Sequence, residues 1–231
     1  MTLSPPHLVN LAAHVGAGIA AIAIGMALLA RAKGTPRHRR WGRVFVAFTL
    51  VVCATAVAGN LLFRFIPLFA VLTLLVTYQL LSGWHVLYTR AAGPNRVDVL
   101  LWGCALAWAL GLLPMLLARS AMPGATSGVV YASLGTLALL LGYDLARWCF
   151  PRHWHARLWR IEHIYKMVAS LFGMLSSAAG NLFRDGQPWS QLLPSVLGMF
   201  VIALLIRRET RPGRLRLRAG TPPASSGSAC P

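Results

Sequence analysis

Seven stretches of about twenty apolar residues, at roughly 9–30, 43–63, 66–88, 98–118, 127–149, 162–183 and 189–206, fill most of this 231-residue chain. A bilayer's hydrocarbon core of about 30 Å is crossed by about 20 helical residues. The expected fold is therefore all-α: an integral membrane bundle of seven transmembrane helices, one domain over residues 1–208, with almost no room for an extramembrane domain. Apolar residues make up 57% of the chain and charged residues 12%, a balance that suits a polytopic membrane protein and not a soluble one. The first stretch is preceded by no Lys or Arg and is too long for the apolar region of a signal peptide, so it is expected to stay in the mature protein.

The basic residues orient the bundle. Arg31, Lys33, Arg37, Arg39, Arg40 and Arg43 fall in one connection, Arg90 and Arg96 in another, Arg147, Arg152, Arg157, Arg160 and Lys166 in a third, and six arginines follow from Arg207. The alternate connections hold only Arg64, Arg119 and Arg184. The positive-inside rule then places the N-terminus outside and the C-terminus in the cytoplasm, in the cell's inner (cytoplasmic) membrane. The formal charge of +17 is spread over these helix-flanking segments. It suits the lipid bilayer and its anionic head groups as partners, with no nucleic acid. The segment 209–231 is basic and then rich in Ser and Pro, has no apolar face to bury, and is expected to be a disordered cytoplasmic tail.

The chain also repeats itself. Ala58-Gly59-Asn60-Leu61 returns 121 positions later as Ala179-Gly180-Asn181-Leu182, and Phe63-Arg64 as Phe183-Arg184 one position earlier in register. At an offset of 117, Gly18, Gly25, His38, Arg40 and Arg43 match Gly135, Gly142, His155, Arg157 and Arg160. The four-residue change in offset is close to one helical turn and preserves the helix face. Spans 1–3 (about 9–90) thus correspond to spans 5–7 (about 127–208) with span 4 (98–118) as connector, a parallel 3+1+3 repeat of the kind found in transporters. Gly18 and Gly25 share one face and invite close helix approach.

Ionisable groups within spans are functional candidates. His85, near the cytoplasmic end of span 3, and His163, at the cytoplasmic start of span 6, share a depth. Two facing imidazoles are what a b-type haem needs, and Gly83 and Gly173 offer room beside them. Both histidines are asymmetric with respect to the repeat, as is His14, which aligns with Tyr131. Glu162 and Lys166 are spaced for a helical ion pair, with Asp144 and Arg147 as a weaker one. Asp98 suits the positive end of span 4. Asn60 and Asn181, near the outer ends of spans 2 and 6, can bond across helices or line a polar entrance.

The run His14-x3-Gly18-x6-Gly25, followed by Arg31-Ala32-Lys33-Gly34 and His38-Arg39-Arg40-Trp41-Gly42-Arg43, resembles a family of uncharacterised bacterial multi-pass membrane proteins. The resemblance covers roughly residues 10–90 and implies no activity. It directs attention to His14, Lys33, His38, Arg39 and Arg43. Three functions remain open: b-type haem-binding electron transfer at a cytoplasmic-side His85–His163 site, a small-solute transporter or channel built from the repeat, and a non-catalytic accessory subunit. A retinal protein is excluded because the last span has no lysine. HExxH, P-loop and dinucleotide fingerprints are absent from the sequence.

Overall fold

The computed structural model describes residues 4–117 and 127–211, and they form seven α-helices with no strand among them. In chain order these are α1 (Pro5–Ala30), α2 (Pro36–Ala58), α3 (Pro67–Thr89), α4 (Arg96–Leu117), α5 (Ser127–Ala146), α6 (Arg152–Leu182) and α7 (Trp189–Glu209). Most of the expected basic tail lies outside the described residues.

The helix starts are written in the sequence. Pro5, Pro36 and Pro67 occupy first-turn positions, where a missing N–H costs nothing. Thr35 caps α2 by accepting from the His38 N–H at 3.1 Å. Asn95 caps α4, its Oδ1 accepting from Val97 N at 2.9 Å while Asp98 Oδ2 accepts from Asn95 N at 2.9 Å. That reciprocal pair is a capping box built from Asn and Asp. Two connections turn through glycines at φ +81°, Gly34 and Gly93, where a side chain would be strained. α2 leaves through a π-helical turn, Gly59–Phe63, before Pro67 starts α3.

Five helices are long and apolar enough to cross a membrane: α1, α2 with its π turn, α3, α4 and α7. Their outer faces are apolar, with Val9 70% and Ile19 66% exposed, the surface that a lipid solvent accepts and water does not. α6 is the longest, 31 residues. It begins ten residues before the expected span because nothing between Arg152 and Ile161 breaks a helix, and Arg, Leu, Ala and Trp all propagate one.

α3 and α6 form the spine. α3 packs against α2, α4, α5 and α6, while α6 packs against α3, α7 and α1. One apolar cluster joins α3, α4 and α5 around Leu74, Ala105 and Leu141; a second joins α1, α2, α3 and α6 around Ala21, Phe45, Leu80 and Leu171. Helix contact at the spine is close because Gly83 has no side chain: a Cβ there would lie 2.6 Å from Lys166 Cβ. Gly25 plays the same part for α1, where a Cβ would meet Leu171 Cδ1 at 2.6 Å and Phe45 Cε2 at 3.0 Å.

The helices that the sequence repetition aligns keep different company. α1 packs along α2, whereas α5 packs on α3 and α4. Gly25 is closed against its neighbours, but nothing lies within 4 Å of where a Cβ would stand on Gly135 or Gly142. The likeness is sharpest at the duplicated asparagines. Asn60 Nδ2 donates to Ala56 O at 3.0 Å and Asn181 Nδ2 to Ser177 O at 2.9 Å, each four residues back on its own helix.

Candidate functional site: a buried charge network

Three of the chain's five acidic residues, Asp98, Asp144 and Glu162, converge on Arg147 and Lys166 where α3, α4, α5 and α6 meet. All are buried; Lys166 is 0%, Glu162 1% and Arg147 2% exposed. Each element delivers its residue for a local reason. Asp98 is fixed as the capping-box carboxylate of α4. Arg147 heads a short 3-10 turn that ends α5, which folds its side chain inward. Glu162 and Lys166 are four apart on α6 and so share a face.

Lys166 Nζ donates to both oxygens of Asp144 at 2.8 Å. Arg147 Nε lies 3.1 Å from Glu162 Oε1, and its Nη1 lies 3.6 Å from Asp98 Oδ1 and 3.9 Å from Asp144 Oδ1. The ion pairs therefore run between elements. The expected weak Asp144–Arg147 pair is present at 3.9 Å, whereas the expected Glu162–Lys166 pair gives way to Glu162–Arg147 and Asp144–Lys166, because the short connection from α5 to α6 brings both carboxylates within reach of both cations. Two tyrosines complete the shell: Tyr78 of α3 donates to Asp144 Oδ2 at 2.6 Å and Tyr143 donates to Glu162 Oε1 at 2.9 Å. Three carboxylates against two cations leave one formal negative charge in excess. A cavity of about 10 Å³, lined by Tyr78, Ser82, Asp98, Asp144 and Arg147 among others, lies inside the network.

His85 reaches the network from α3. Its Nε2 donates to Asn95 Oδ1 at 3.1 Å and stands 3.6 Å from Asp98 Oδ2. His163 does something else: its Nδ1 donates to the Gly83 carbonyl of α3 at 2.9 Å. The two imidazoles were expected to flank a haem. The residues do not fit that group, because the His163 ring lies against the α3 backbone and the glycines meant to make room are filled, Gly83 by Lys166 and Gly173 by Val76 Cγ2, 3.1 Å from where a Cβ would stand.

The remaining candidates are dispersed. His14 Nδ1 meets Val52 O at 3.2 Å and Thr55 Oγ1 at 3.0 Å, tying α1 to α2 near Asn10, which donates to Thr55 O at 3.1 Å. Lys33 Nζ donates to Leu28 O, Leu29 O and Arg31 O at 2.6–2.9 Å, closing the C-terminus of α1. Burial, followed by the charge of Arg208, pushes its ammonium below the ordinary lysine value. His38 is half-buried, while Arg39 and Arg43 are exposed beside it. Asn60 and Asn181 serve their own helix ends and do not meet across a repeat axis; Asn60 Oδ1 also accepts from Ile66 N at 3.0 Å.

Sequence reading found Asp98, Asp144, Arg147, Glu162 and Lys166 as local pairs and missed that they form one site, to which Tyr78 and Tyr143 belong. The available signal was that so few carboxylates lie within apolar stretches. Compared with family models, curated proteins and solved structures, the chain finds no match.

Proposed function

We propose that this chain is a seven-span protein of the inner membrane, N-terminus outside and C-terminus cytoplasmic, that carries protons, alone or coupled to a small solute, through the buried charge network. Its spans are the five apolar helices together with α5 and α6, arranged as a parallel repeat. Arg147 and Lys166 leave the loop count once they are seen to be buried, yet the remaining basic excess stays on the same side and supports the same orientation. The exposed Arg39 and Arg43 then face anionic head groups.

The observation that carries the activity is the network's charge. An uncompensated charge in a low-dielectric interior is costly, so a site with three carboxylates and two cations favours one more positive charge. Ionisable residues inside a membrane bundle mark ion paths and proton relays. The cavity among them holds about one water, room for a proton in transit and not for an organic solute.

The test is proton flux into proteoliposomes that enclose a pH-sensitive dye, driven by an imposed potential. Flux above that of empty vesicles, lost in Asp144→Asn, is the expected result. Vesicles no leakier than controls under either polarity would overturn the proposal and leave the network as a structural staple of an accessory protein.

A further inference from the structure

Among the described residues of the network and its shell, His85 and Tyr143 are partly exposed and reach from the buried charges toward the surface, and of the two only the histidine stands beside the cavity-lining Asp98. Asp98, Asp144, Arg147, Glu162 and Lys166 are each at most 8% exposed, and the His85 side chain is 17% exposed. Its Nε2 is held between Asn95 Oδ1 at 3.1 Å and Asp98 Oδ2 at 3.6 Å. Beyond Asp98, the one-water cavity touches both Asp98 and Asp144, and Tyr78 donates to Asp144 at 2.6 Å.

Resting on the proton-carrying reading above, we propose that His85 is the port through which protons pass between the aqueous face and the network, in the order His85, Asp98, cavity water, Asp144. An imidazole is suited to the step: it accepts a proton at one ring nitrogen and releases one from the other, so no net charge accumulates on the ring. The charged and titratable groups around it are set for this. Asp98 of α4 faces Nε2 directly, Arg147 stands behind Asp98 at 3.6 Å and fixes its other oxygen, and Tyr88 stacks near the ring at 6.4 Å between centroids. Asn95 orients the imidazole and carries no proton itself. The same asparagine and aspartate cap α4, so the port is tied to the start of a helix and does not depend on a free loop.

The experiment compares wild type, His85→Ala, His85→Gln and Asp144→Asn in the proteoliposome flux assay, with and without added imidazole. Glutamine keeps a donor for Asn95 and so preserves any structural role, but it does not relay a proton. Both His85 variants are expected to slow the flux by about a hundredfold or more, the scale of a lost proton-transfer group. Added imidazole is expected to rescue His85→Ala, where it has space, and not His85→Gln. Wild-type flux in His85→Gln while Asp144→Asn is inactive would overturn the port and leave the proton-carrying network standing. Absence of flux in the wild type would overturn both.

Discussion

Lys166 Nζ sits 2.8 Å from both carboxylate oxygens of Asp144, 22 positions earlier, and not on Glu162, its neighbour one turn back on the same helix. The choice is forced by competition. Arg147 Nε already lies 3.1 Å from Glu162 Oε1, and Tyr143 donates to the same oxygen. Lys166 is fully buried, so removing either partner strands a charge in the interior. Lys166→Met or Asp144→Asn alone should cost about 3–5 kcal/mol. The double variant should recover much of that, because the lysine and the carboxylate it pairs with are then removed together. Thermal unfolding in detergent, arranged as a double-mutant cycle, measures both.

Close approach of α3 and α6 rests on Gly83, where a Cβ would stand 2.6 Å from Lys166 Cβ. Neither atom is the end of a flexible chain, so the helices themselves must part. Gly83→Ala should therefore lower the melting temperature and disturb the His163 bond to the Gly83 carbonyl and the Lys166–Asp144 pair together. Gly173→Ala, facing the tip of Val76 at 3.1 Å, should be tolerated far better. Equal loss in the two variants would refute this account of the spine.

The helices were legible because apolar runs of span length, N-terminal prolines and turn glycines are local signals, and they place α1, α3, α4 and α7 to within a few residues. The pairing of charges was legible only in part: the weak Asp144–Arg147 pair is there, and the stronger partners are not the expected ones. Glu162 and Lys166 have the spacing of a helical pair, but side chains choose partners in three dimensions, and Arg147 is buried at the 3-10 turn that ends α5. The residues do not fit a haem for a related reason. A shared depth along two helices says nothing about rotation, and His163 is turned onto the α3 backbone. The duplicated asparagines were visible as a repeat, yet each bonds back to its own helix, and Asn60 alone also accepts from Ile66 N before α3.

Lys33, in the connection between α1 and α2, closes the end of α1 by donating to three carbonyls. A cation there satisfies orphan acceptors and meets the negative end of the helix dipole. Lys33→Ala should cost about 0.5–1 kcal/mol, the scale of a helix cap, and raise amide hydrogen exchange over the last turn of α1. Lys33→Arg should retain most of the protection. Unchanged exchange in Lys33→Ala would point to a role outside the fold for this lysine.

Gly93 meets two constraints at once, a φ of +81° and the buried ring of His155, whose Cδ2 would lie 2.8 Å from an added Cβ. The backbone conformation alone, φ +81° with ψ −168°, lies in a region essentially confined to glycine and should make Gly93→Ala about 1–3 kcal/mol less stable. The clash adds to this, because His155 is packed on α6 and has no solvent to move into. The consequence extends beyond stability. Gly93 sits two residues before Asn95, which caps α4 and holds His85, so a shift there displaces the start of α4 and the Asp98 carboxylate with it. Gly93→Ala should lower the melting temperature and slow proton flux together. Gly34→Ala, with the same φ and nothing within 4 Å, should show the backbone cost alone and leave the flux unchanged. Comparing the two variants in one melting and flux series separates the strain of the turn from the positioning of the network.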